Sequence, residues 1–88
     1  MKPIFPLYRT YKNNQTWFKI TSDDHFEELR ILGGFYNLRT FKAEKFVDRN
    51  LIQDMIENKD GLWEISSENE FEETKLRCLR ELTRSEAL

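Results

Sequence analysis

One cysteine, Cys78, in a chain of 88 residues rules out an internal disulfide and a cysteine-built zinc cluster. It is expected to behave as a small buried hydrophobe. Glycine is nearly as scarce, with three copies, and proline has two, which argues against long disordered stretches. The one glycine pair, Gly33-Gly34, belongs to neither Gly-x-x-x-x-Gly-Lys nor Gly-x-Gly-x-x-Gly, so no phosphate loop is spelled. No apolar run reaches the ~18–20 residues that cross a bilayer. The start, Met1-Lys2-Pro3-Ile4-Phe5-Pro6, lacks the apolar core of a signal peptide. A reduced, cytoplasmic protein without a membrane role is the expectation.

What the chain does hold is enough for a core. Hydrophobic residues make up 39% and aromatics 14% of one small domain spanning 1–88. At this size only ~60–65% of the unfolded surface can be buried, so stability should be modest. Net charge is −2 but unevenly spread: residues 1–45 carry eight Lys/Arg and five Asp/Glu, residues 46–88 six and eleven. Residues 1–22 contain Lys2, Arg9, Lys12 and Lys19 and no acid, which could orient a partner or a second copy.

Two gap-free segments read alike: Phe18–Glu28 over Trp63–Glu73. Each runs apolar, charged, Ile, hydroxyl residue, acid, then Phe-Glu-Glu. The pattern predicts a strand, a capped turn and a helix in both places. Different flanking elements argue for two independent uses of one turn, not a duplication.

Along the chain, strands are predicted at 4–12, 16–21, 35–46 and 62–66, and helices at 23–32, 48–58 and 67–84. Asn13-Asn14 suits a tight hairpin turn. Pairing across it puts Leu7, Arg9, Tyr11, Thr16, Phe18 and Ile20 on a core face, and Tyr8, Thr10, Lys12, Gln15, Trp17 and Lys19 on an outer one. Over 23–32, Ser22 and two acids favour a helix ended by Gly33-Gly34, although Glu28–Ile31 alternates like a strand. A slip in spacing between Leu38 and Phe41 predicts a β-bulge near Arg39-Thr40. Asp48 is read as a cap, with a Val47–Ile52 staple. In the last helix Ser67 and Glu70 form a capping box, Phe71, Cys78, Leu79 and Leu82 share the buried face, and Glu73–Arg77 is a favourable pair. Residues 84–88 are expected to fray. Phe18, Phe41, Ile52, Phe71 and Leu79 are the expected core.

No residue set spells a reaction. His25 lies beside Asp23 and Asp24, a general-base pairing in principle, but no nucleophile is placed with it. One His and two adjacent acids also fall short of a zinc site. Glu68, Glu70, Glu72 and Glu73 lack the Asp-x-Asp-x-Asp-Gly pattern of a calcium loop and read as helix-start acids. Catalytic, metal and cofactor residues are therefore expected to be none. The remaining candidate surface is the outer face of the first hairpin: Tyr8, Lys12, Trp17 and Lys19, with Lys42 and Lys45 nearby. Aromatics among bases on strands suit a protein partner, self-association, or single-stranded nucleic acid by stacking and phosphate neutralisation. A pI near 5.4 disfavours nucleic acid.

The resulting expectation is an α+β domain: a small, mainly antiparallel sheet of about four strands with two or three helices on one face. Its expected role is a non-catalytic interaction or regulatory module binding a protein, a homodimer included. The alternatives are a weak nucleic-acid binder through the hairpin, or an accessory subunit of an enzyme complex.

Overall fold

The computed structural model describes residues 3–12 and 15–86. Alternating apolar residues build one sheet from six strands: β1 (Leu7–Tyr11), β2 (Thr16–Ile20), β3 (His25–Leu32), β4 (Phe35–Lys42), β5 (Trp63–Ile65) and β6 (Thr83–Arg84). Their order is β5-β1-β2-β3-β4-β6. All neighbours are antiparallel except β4 and β6, which run parallel. Helix α1 (Phe46–Glu57) leads from β4 to β5 at the opposite edge of the sheet, and α2 (Glu68–Glu81) leads back to β6. The architecture is α+β with a mixed sheet and two helices.

The helices cover opposite faces, which corrects the expected one-sided packing. On one face Ile52 and Met55 of α1 join Phe18, Ile20, Phe26, Ala43 and Trp63. On the other, Phe71 and Cys78 of α2 join Tyr8, Trp17, Leu29 and Tyr36. Both faces of the central strands are therefore apolar, as the two-sided burial of Thr16–Ile20 shows.

The hairpin register is the one expected, with Leu7 opposite Ile20 and Arg9 opposite Phe18, while its turn at Asn13-Asn14 lies outside the described residues. Residues 23–32 are not a helix. His25–Leu32 pairs without interruption along β2 and β4, and Gly33, at φ +59°, makes the turn. Unbroken pairing from His25–Lys42 to Leu32–Phe35 also removes the bulge expected at Arg39-Thr40. Phe26 and Phe71, matched in the two similar segments, are both core, yet one sits on a strand and the other on a helix. After the first segment Leu29 and Ile31 alternate on the sheet face opposite Phe26, whereas Cys78 continues a helical period from Phe71 after the second.

Helix α1 starts two residues earlier than expected. Lys45 is its cap, without a side-chain bond, and its carbonyl accepts from Asp48 N at 3.1 Å and Arg49 N at 3.2 Å. Asp48 is then a first-turn acid, and Val47 lies exposed instead of stapling to Ile52. The helix stops at Asn58 in the left-handed region (φ 48°). That side chain clasps the backbone of Trp63, donating from Nδ2 to the carbonyl at 2.7 Å and accepting from the amide at 3.2 Å.

Ser67 caps α2 as expected, its Oγ accepting from Glu70 N at 3.1 Å. Glu70 does not close the box; its carboxylate accepts from Ser66 Oγ at 2.5 Å and from Trp17 Nε1 at 3.4 Å. Ser67→Ala is expected to lower stability by ~1 kcal/mol, the usual worth of such a cap. Urea denaturation checks this; an unchanged midpoint would mean Ser66 can take over the role. Beyond α2 the backbone is bonded to the sheet: Thr83 N donates to Gly34 O at 2.9 Å and Ser85 N to Tyr36 O at 2.7 Å. Asn37 Nδ2 also donates to Ser85 O. Residues 87–88 lie outside the described residues.

Candidate functional site

The four residues expected to form an outer binding face do not form one. Tyr8 and Trp17 keep 8% and 6% of their surface, because α2 lies over them. Tyr8 packs a tilted ring against Phe71 at 5.9 Å, and burial pushes its phenol pKa up, with Lys19 opposing. Its hydroxyl is buried with no hydrogen-bond partner among the described residues. Lys19 is three-quarters covered and sits 3.9 Å from Glu27. Lys12 is exposed beside the hairpin turn. Arg9, counted among the N-terminal bases, is interior. The aromatic platform that stacking on bases would need is thus inside the fold.

His25 has closer neighbours than its sequence position implies. Asp24 Oδ1 lies 2.6 Å from His25 Nδ1 and accepts from Ser22 Oγ at 2.7 Å; Ser22 Oγ lies 3.2 Å from the same nitrogen. A serine therefore does stand beside His25, contrary to the expectation that none would. Its proton is directed at the carboxylate, and both groups meet one ring nitrogen. A nucleophile relay needs the serine on Nε2 with the acid on Nδ1, so this geometry ties a turn together instead. Hydrogen bonds from Ser22 and then His25 hold the Asp24 carboxyl below the usual carboxylate range. Among the described residues no group of three or more His, Cys, Asp or Glu side chains converges as a metal would require.

The cysteine is shielded from solvent. Cys78 is fully buried and unpaired, and burial pushes its thiol pKa up, partly offset by Arg77.

Large apolar side chains are exposed elsewhere, among them two at the start of α1. Phe46 is 78% exposed and Val47 follows it into solvent. Leu51, one turn on from Val47, lines a groove of about 230 Å³ with Phe26, Phe41 and Ala43. Phe26 and Phe41, paired across β3 and β4, stack at 4.9 Å and 17° as its apolar wall. Glu28, Lys42 and Asp48 complete the lining with charge. Sequence reasoning missed this surface because it placed Phe46 in a strand and Val47 in a staple. The signal available was the adjacent Phe46-Val47 pair just before Asp48, two large apolar residues of which a single staple contact could cover only one.

No protein-family model, no curated protein and no solved structure matches this chain. Among the described residues, no helix is long and apolar enough to cross a membrane.

Proposed function

We propose that this chain is a non-catalytic interaction module that binds a protein partner through the α1 groove. The observation that carries the reading is Phe46 and Val47, two large apolar side chains left in water in the first turn of α1, the helix whose Asp48 and Leu51 line a hollow walled by stacked phenylalanines. Exposed apolar surface of this kind costs a monomer solubility and is kept where a partner covers it. The groove takes an apolar side chain against Phe26 and Phe41, while Glu28, Lys42 and Asp48 supply polar contacts at its margin. An unpaired, buried Cys78 suits the reducing cytoplasm in which we place the module.

The test is capture from the native host followed by titration with the purified partner. Phe46→Asp with Leu51→Asp is expected to weaken that titration by a factor of at least ~30, the worth of about 2 kcal/mol at a hot spot. The circular dichroism spectrum should keep its shape, since Phe46 is 78% exposed and Leu51, at 38%, lies outside the fully buried core. A partner bound equally well by the double variant would sink the groove as the binding surface.

A further inference from the structure

Helix α2 buries one stripe and leaves another uncovered. Phe71 and Cys78 face the sheet, while Leu76, 56% exposed, and Leu79 point outward. Around Leu76 the helix is charge-polarised: Glu72 and Glu73 come one turn before it, Arg77 directly follows it, and Arg80 comes one turn after. Glu73, Leu76, Arg77 and Arg80 line a shallow hollow of about 370 Å³. The expected Glu73–Arg77 pair is not within ion-pair distance, and no ion pair engages Glu73, Arg77 or Arg80 among the described residues.

We propose that this stripe is the contact between two copies of the chain, paired as antiparallel α2 helices about a two-fold axis near Leu76. Glu73 and Arg80 are seven positions apart, so they sit on the same flank of the helix, on either side of Leu76 along its axis. Running the second helix antiparallel sets Glu73 of each copy against Arg80 of the other, giving two equivalent ion pairs around the Leu76 contact. A parallel arrangement would set acid against acid and base against base. The pattern is therefore complementary to itself in one orientation only, as a two-fold interface requires.

The contact is small. Two helices meeting over two or three turns bury well under the ~1,600 Å² of a standard interface, so dissociation is expected on the order of 100 µM. The inference is independent of the groove reading, since the groove lies against α1 on the other face of the sheet.

Sedimentation equilibrium of the full chain, in a series reaching about 1 mM, reads the dimer directly. Glu73→Arg and Arg80→Glu should each weaken it by about tenfold or more, because every reversal places two like-charge pairs in the interface. Mixing the two variants should restore association. In the heterodimer the introduced arginine of one chain meets the introduced glutamate of the other, and the native Arg80 meets the native Glu73. The doubly swapped chain, carrying both changes, should also dimerise. Leu76→Glu should be monomeric with an unchanged circular dichroism spectrum. A wild type that stays monomeric throughout the series overturns the proposal. So does a dimer that survives both reversals, or one that mixing fails to rescue.

Discussion

Replacing Phe71 by alanine is expected to cost about 3–5 kcal/mol, most of the stability that so small a domain possesses. The ring keeps 1% of its surface and is the residue through which α2 reaches the sheet, packed with Tyr8, Trp17, Leu29, Tyr36 and Cys78. Its removal leaves a void that the neighbours cannot fill, because Tyr8 and Trp17 are held by their own strand register. Leu79→Ala is the control. Leu79 is 59% exposed, and its truncation in dilute solution should change stability by less than about 0.5 kcal/mol. Urea denaturation of both variants separates the two residues. If Phe71→Ala is unfolded outright, the milder Phe71→Leu should still show a lowered midpoint. Equal losses at 71 and 79 would mean that α2 is rotated about its axis from the orientation that buries Phe71 and Cys78.

That contrast also marks where sequence reasoning stopped. A helical period names Phe71, Cys78, Leu79 and Leu82 together, since the four fall within a broad arc. Only the sheet beneath decides which edge of the arc is covered. It lies under Phe71 and Cys78 and leaves Leu79 in water. The hairpin was legible to the residue in its register, because two Asn flanked by alternating runs admit one pairing. Its burial was not legible, because a two-stranded reading assigns one face to core and the other to solvent. Such a reading gives Trp17 and Tyr8 to a partner, whereas the alternation of Leu29 and Ile31, then Tyr36 and Leu38, calls for a second covered face. Strand β6 carried no usable signal: two residues, Thr83-Arg84, join β4 only because α2 delivers them there.

The similar segments teach the same lesson locally. A hydroxyl residue, acids and Phe-Glu-Glu come after a strand in both, yet Ser67 caps a helix and Ser22 closes a turn between strands. Capping chemistry permits a helix without requiring one. The residues beyond the cap decide: an apolar alternation ending at Gly33-Gly34 in the first segment, and fourteen helical residues in the second.

Arg9→Ala is expected to cost about 3 kcal/mol, although it removes a charge that forms no carboxylate pair among the described residues. Arg9 stands on the apolar face of β1, between core residues, and is 8% exposed. Burial pushes its pKa down, yet an arginine stays charged inside proteins. Three backbone carbonyls hold it: Nε donates to Met55 O at 2.8 Å, one terminal nitrogen to Tyr8 O at 2.8 Å, and the other to Ile56 O at 3.2 Å. Met55 and Ile56 belong to the last turn of α1, whose carbonyls have no partners within the helix. That turn contains no basic residue of its own. Arg9 therefore supplies, from the neighbouring strand, both the donors and the positive charge that a helix C-terminus favours. Alanine would leave buried acceptors unpaired, each costing ~1–3 kcal/mol before any relaxation, and would open a cavity under α1. Arg9→Lys should recover only part of the loss, since one ammonium cannot reach three carbonyls in a fork. Urea midpoints give the totals, and amide exchange locates them: protection should fall most along Met55–Asn58. Arg9→Ala with wild-type stability, or with exchange altered only in β1, would refute the role assigned to this guanidinium.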